Sequence, residues 1–243
     1  APVGISVPCG NCGGRTLAFD FAVSAYRSSG PIREIMHAYK YGRQLHLSRL
    51  FGKLLQRVWS DPRLAETTHW SVVPVPLHPK RQRKRGFNQA TEIAREFIRS
   101  APPSASLELT SLLKRSRHTI RQAQLDRREG LENLKDAFSL RKDLPPFESL
   151  EQGILLVDDV MTTGTTVSEC AEVLRRAYDV NGTEMPHIAG ITVLRGCAPG
   201  LEYCLSLRHF SLRFSPYWAL SSLETHNHPT PASGNWHFPK NPY

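Results

Sequence analysis

The sequence predicts an α/β domain built on a largely parallel sheet, and three observations carry that prediction. Gly153-Ile154-Leu155-Leu156-Val157-Asp158-Asp159, an apolar run ending on two acids, is the clearest strand pattern in the chain. Trp70 to Pro76 is a short apolar, β-branched run closed by prolines, and His187 to Leu194 is a further one. Helical patterns separate these runs, and strands alternating with helices imply parallel pairing.

The remaining elements follow in order. Cys9-Gly10-Asn11-Cys12 lies in a Gly-rich stretch. Residues 31–59 read as helix: Pro31 suits a first turn, and Ile32, Ile35, Met36, Tyr39, Leu47, Leu50, Phe51, Leu54, Leu55 and Val58 recur at roughly helical spacing. Gly42 is expected to break this run into two helices. A basic loop follows the strand at 70–76, then a helix from Asn88 to Arg99 and a loop at 101–106. Leu107 to Phe138 is expected to be helical but polar, and 141–149, with Pro145-Pro146, to be a connection. A helix from about Thr165 to Ala177 places Val167, Cys170, Ala171, Leu174 and Ala177 on one face. Residues 221–243, rich in Pro, His, Asn and Ser without a period, are expected to be loose.

Composition bounds the partners. Lys and Arg number 31 against 22 Asp and Glu, a net charge of +9, which fits either a plain basic protein or one with an anionic partner: nucleic acid or a phosphate-rich small molecule. No apolar run approaches the roughly 18–20 residues of a membrane span. Of the five cysteines only Cys9 and Cys12 are close together, which does not make a disulfide framework and points to a reducing, cytoplasmic compartment. The first residue is Ala1 rather than Met, so further sequence upstream is expected, and a targeting segment there stays open.

The junction after the strand at 154–158 carries the chemistry. Met161-Thr162-Thr163-Gly164-Thr165-Thr166 is a turn of small hydroxyl residues around one Gly, leading into a helix. Little side-chain bulk lets backbone N–H groups converge on an oxyanion, the helix adds its positive dipole end, and the Thr hydroxyls donate to phosphate oxygens. Asp158 and Asp159 are acceptors at the carboxyl end of the strand and suit the two hydroxyls of a ribose. A phosphate clasp beside a diol clasp describes ribose 5-phosphate. A Walker-B-like metal pair would need a Gly-x-x-x-x-Gly-Lys-Ser/Thr partner loop, which the chain lacks. Simple N-capping needs one Thr, not four around a Gly.

Residues 154–170 resemble the 5-phosphoribosyl-1-diphosphate (PRPP) signature of type I phosphoribosyltransferases. Finer features resemble one branch, the ComF family of competence-associated, phosphoribosyltransferase-like proteins. They are Val73-Pro74-Val75-Pro76-Leu77-His78-Pro79, Arg81, Arg85-Gly86-Phe87-Asn88-Gln89-Ala90, Tyr39-Lys40-Tyr41-Gly42, and the set Thr119, Gln122, Leu125, Asn133 and Phe138. The resemblance covers residues 20–195, taken as the phosphoribosyltransferase domain. Residues 1–19 are then the remnant of a Cys-rich module and 196–243 an irregular extension. Where the family usually has Arg, three residues before Asn133, this chain has Gly130. Cys9 and Cys12 resemble the last pair of an N-terminal zinc module. Two thiolates do not complete a tetrahedral site, so either upstream residues supply the rest or zinc is not held.

The resemblance also gives the basic segment a role. Lys80, Arg81, Arg83, Lys84 and Arg85 put five cations within six positions, where the family's loop after the first core strand faces pyrophosphate. Lys80, Arg81 and Arg85 are the expected pyrophosphate ligands, Arg matching phosphate geometry. Nucleic-acid contact and a plain solvated face stay open. Lys40 and Arg43 beside Tyr39 and Tyr41 could form a basic–aromatic platform, but aromatics at that spacing are more often half-buried packing residues.

Two functions follow. An enzyme would displace pyrophosphate from C1 of PRPP with a nitrogen nucleophile, aided by Mg²⁺, with Asp158 and Asp159 as catalytic residues fixing the ribose. A binding protein would hold PRPP or a related phosphorylated ribose, and the family resemblance implies a role in DNA uptake during transformation, with single-stranded DNA and a helicase-type ATPase as partners.

Overall fold

The computed structural model describes residues 16–116, 136–144, 153–182 and 184–196. In chain order the elements are β1 (Phe21–Arg27), α1 (Gly30–Tyr41), α2 (Leu47–Leu55), β2 (His69–Pro74), α3 (Pro79–Arg85), α4 (Gln89–Arg99), β3 (Ser106–Leu109), β4 (Leu113–Arg115), β5 (Phe138–Leu140), β6 (Gly153–Met161), α5 (Thr165–Asn181) and β7 (His187–Arg195). A five-stranded sheet runs in the order β1-β7-β6-β2-β3 with every pair parallel, and β4 and β5 form a separate antiparallel pair. This is the parallel α/β core expected of a type I phosphoribosyltransferase-like fold.

β6 is apolar because both of its faces are covered. Leu155 and Val157 pack with Met36, Tyr39, Phe51, Ile93 and Phe97 from α1, α2 and α4. Ile154 and Leu156 pack with Val167, Cys170, Leu174 and Tyr178 of α5 on the other face. Removing one such Leu side chain costs about 2–5 kcal/mol, since a close-packed core refills the space only in part. On the first face α2 and α4 approach so closely that a Cβ on Gly52 would lie 2.3 Å from Glu96 Cβ.

The helix break at Gly42, the strand at 70–76, the helix capped by Asn88 and the strand–turn–helix around Asp158 form as expected, while α5 runs on to Asn181. Two expectations change, and one strand was not anticipated. Residues 21–27 are that strand, β1, in which Val23 and Ala25 are buried between less buried neighbours. The basic loop is a helix, α3: Pro79 opens it, His78 Nδ1 accepts from Lys80 N, and Gly86 closes it in the left-handed region at φ 89°. Leu107 to Phe138 is not helical at either described end. Leu107 pairs with Trp70 in the edge strand β3, and Phe138 pairs with Arg115. Few of this segment's residues are apolar, so edge pairing overrides a weak helical pattern. Cys9, Cys12, Gly130, Cys197, Cys204 and the 221–243 tail, with its His226, His228 and His237, lie outside the described residues. No described helix is long and apolar enough to cross a membrane.

Candidate functional site

The turn after β6 is a tight one built on a single left-handed residue. Gly164 stands at φ 76°, a conformation only glycine adopts without cost, and is itself the N-cap of the 17-residue α5, with no side-chain cap. The threonines therefore do not serve as the helix cap. Thr163 Oγ1 and Thr165 Oγ1 lie 2.8 Å apart, Thr165 is buried and Thr162 is exposed. Met161 and Phe19 pack against the turn. A Cβ on Gly164 would find Phe19 Cζ at 3.5 Å and Met161 Sδ at 3.7 Å, both ordinary contacts, so what reserves this position for glycine is its φ rather than a clash. Residues 18–20 are tied to α5: Ala18 N donates to Ser168 Oγ at 3.0 Å, and Arg175 pairs with Asp20 at 2.6 Å.

Successive residues of a strand face opposite ways, and Asp158 and Asp159 follow that rule. Asp159 turns to the α1 side, where Lys40 Nζ meets its Oδ1 at 2.8 Å. Asp158 continues the row of Leu156 on the α5 side, within electrostatic reach of Arg115 and Cys170. The pair thus straddles the carboxyl edge of the sheet. Burial first, and then the neighbouring Asp159 charge, push the Asp158 carboxyl up to about 7. Lys40, the Asp159 N–H bonded to Asp158 Oδ1 at 2.8 Å, and Arg115 pull it the other way without cancelling that push. By surface area Asp158 is half-buried, less closed off than Asp159. Arg115 is held below the usual guanidinium range by burial and by Arg81, and the buried Cys170 thiol is pushed up by burial and by Asp158.

Helix α3 divides the expected pyrophosphate ligands. Lys80 is exposed, as are Arg83 and Lys84, whereas Arg81 and Arg85 are half-buried, four residues apart on one face. Arg85 donates to Gln89 Oε1 at 2.8 Å and lies 5.2 Å over the Tyr41 ring. Of the three, Arg81 is the one whose charge reaches the carboxylate neighbourhood, through Arg115. Much of the surrounding motif is scaffold: Asn88 caps α4 at Ala90 N and donates to Val75 O at 3.0 Å.

Of the two readings of the Tyr39–Arg43 segment, packing holds for Tyr39. Tyr39 is fully buried between Phe51 and Phe87, its hydroxyl donates to Gln89 O at 3.2 Å, and burial raises its pKa well above the ordinary phenol value. Lys40 is committed to Asp159. The stretches 35–60 and 70–91 contain no Asp or Glu, and Arg43, Arg49, Lys53, Lys80, Arg83 and Lys84 are exposed in them. Tyr41, Leu45 and Leu50 are the exposed apolar side chains among them. Arg43, at φ 54°, joins the α1–α2 corner to α3 by donating to Lys84 O at 3.1 Å. Sequence reading missed Lys40, Arg115 and Cys170 as neighbours of the acids, because no local pattern links positions so far apart in the chain. The acid-free stretches were readable.

No protein-family model matches the chain. It is similar to Competence protein F of Haemophilus influenzae, 32% identical over 173 residues that cover 69% of this chain and 72% of that protein. It is also similar to DNA utilization protein YhgH of Escherichia coli K12, 30% identical over 182 residues, 70% of this chain and 72% of that protein. Competence protein ComFC of Streptococcus pneumoniae is 25% identical over 150 residues, 60% of this chain and 58% of that protein.

Proposed function

The chain belongs to the ComF family of competence proteins, and from that premise we propose that it binds PRPP or a related 5-phosphorylated ribose while acting in DNA uptake. The observation that carries the ligand reading is the left-handed Gly164, seated between two carboxylates and the first turn of a 17-residue helix. Backbone N–H groups and the helix dipole favour a phosphate dianion there, and the adjacent acids are acceptors for hydroxyls one sugar ring away. The names of the relatives, Competence protein F and DNA utilization protein YhgH, support the cellular role.

The exposed cations of α2 and α3 fit a polyanion, and the interleaved Tyr41 suits a single strand, whose bases stack on aromatic rings. Single-stranded DNA is the partner proposed for that face. Transfer of the ribose to a nitrogen nucleophile is the second reading. Arg81, near enough to Arg115 to depress its pKa, would bring positive charge toward a departing pyrophosphate. The described residues include no group of three or more His, Cys, Asp or Glu fit for a metal ion, and Asp159 is already paired with Lys40. Mg²⁺, in the transferase reading, would be brought by the ligand and would supply charge neutralisation to the leaving group.

Three measurements on the full chain separate these readings: calorimetry with PRPP, a PRPP-dependent pyrophosphate-release assay, and a salt titration of single-stranded DNA binding. PRPP binding without pyrophosphate release, together with salt-sensitive DNA binding, is the expected result. Absence of PRPP and ribose 5-phosphate binding would overturn the ligand reading.

A further inference from the structure

We infer that Lys40 is a positioning residue of the ribose site, fixing the Asp159 carboxylate as the standing acceptor for a ligand hydroxyl and tying ligand affinity to the contact between α1 and β6. The inference rests on the phosphorylated-ribose reading of the same site and adds a residue which that reading did not contain.

The geometry is specific. Lys40 is in the last turn of α1, where a cation is favoured by the helix dipole, and its side chain and that of Asp159 are only 20% and 12% exposed. An ion pair this sheltered is screened less than a surface pair, and breaking it strands a carboxylate away from water. Its backbone is held on both sides. Tyr39 is locked in the core and bonded to Gln89 O, Gly42 N donates to Ala38 O at 2.7 Å, and Arg43 is bonded to Lys84 O. A long, flexible side chain on so fixed a base delivers its ammonium to one place.

The consequence is electrostatic. The charged and titratable groups that bear on the two carboxylates are each other on β6, Lys40 and Tyr39 on α1, Arg115 on β4 and Cys170 on α5, with Arg81 of α3 acting on Arg115. Among these Lys40 is the cation in contact with Asp159. Without it, two adjacent carboxylates share a buried edge, and the pair keeps a proton to higher pH. A protonated carboxyl is a poorer acceptor for a ribose hydroxyl, so affinity rises with pH as the pair ionises. Loss of Lys40 moves that rise upward.

The test is calorimetry of the full chain with ribose 5-phosphate at pH 6, 7 and 9, for the wild type, Lys40→Met and Lys40→Arg. Lys40→Met is expected to bind about tenfold more weakly at pH 7, the equivalent of one pKa unit, with the gap closing to under about threefold at pH 9. Lys40→Arg, which keeps the charge, is expected to stay near the wild type. A deficit in Lys40→Met that is the same at every pH would mean a merely structural role and would overturn the inference. If the wild type binds no ribose 5-phosphate, the ligand reading falls, and carboxyl carbon-13 titration of the ligand-free chain decides the remainder. An upward move of the pair's titration in Lys40→Met supports Lys40's hold on Asp159, and an unmoved titration overturns it.

Discussion

Lys40 Nζ lies 2.8 Å from Asp159 Oδ1, joining the end of α1 to the carboxyl edge of the central strand. The contact divides two neighbouring acids into unlike groups. Asp159 is paired with an ammonium, whereas burial and the Asp159 charge push the Asp158 carboxyl up to about 7. Two neighbouring carboxyls in such unlike surroundings can take different roles.

Gly164→Ala should lose ribose 5-phosphate and PRPP affinity by at least about tenfold and lower stability by about 1–2 kcal/mol, the cost of forcing a side chain into the left-handed region. The space for its Cβ is adequate, so the chain should still fold. Calorimetry and thermal unfolding read both effects. Unchanged affinity would remove the turn from the site.

Asp158→Asn tests the raised carboxyl. Its folded pKa of about 7 lies above the unfolded value, so the native state binds the extra proton and stability falls as pH rises from about 4 to 7, then levels. Asn carries no such penalty and keeps an oxygen for the Asp159 N–H. The variant should be more stable than the wild type at pH 8 by at least about 1 kcal/mol, one pKa unit being worth about 1.4, with the advantage vanishing near pH 4. Denaturant unfolding at both pH values checks this, and equal stability at pH 8 would contradict it.

Arg81→Ala and Arg85→Ala should behave differently. Arg81→Ala should weaken PRPP binding while sparing ribose 5-phosphate, which lacks the pyrophosphate. Arg85→Ala should chiefly lower stability, by about 1 kcal/mol, through loss of its Gln89 bond and its place over Tyr41. Paired titrations with the two ligands and a melting curve distinguish them. Equal losses for both ligands in Arg81→Ala would place this side chain away from the pyrophosphate.

Arg83→Ala with Lys84→Ala removes two exposed cations and leaves the Arg43 bond, which goes to the Lys84 carbonyl. The salt dependence of single-stranded DNA binding should flatten by about 1.4 units, about 0.7 for each phosphate that is no longer neutralised, while PRPP affinity is unchanged. A slope equal to that of the wild type would make this face a solvated one.

Much of this was legible in the chain itself. The apolar run of β6, the two acids and the Thr-Thr-Gly-Thr turn are contiguous, so their chemistry follows from local rules: alternation along a strand, the small residues of a tight turn, the dipole of the helix that follows. The Gly42 break and the Asn88 cap are local in the same sense. The polar helix expected over 107–138 went wrong at its described ends because strand pairing, with β2 at Leu107 and with β4 at Phe138, outweighed a weak periodicity. The basic segment became a helix because Pro79 and His78 start it and Gly86 stops it, signals that the charge run concealed.

What the tertiary structure alone decided is which charges meet. Lys40, Arg115 and the Asp158–Asp159 pair belong to three elements, and nothing at any fixed spacing along the sequence links them. Packing of α1 and β4 near the end of β6 brings them within reach of one another, and burial there gives their interactions weight, since a charge pair that is nearly worthless in water is strong where water is excluded. The same packing sent Tyr39 into the core and left Tyr41 outside, a difference that two tyrosines flanking one lysine could not express in sequence.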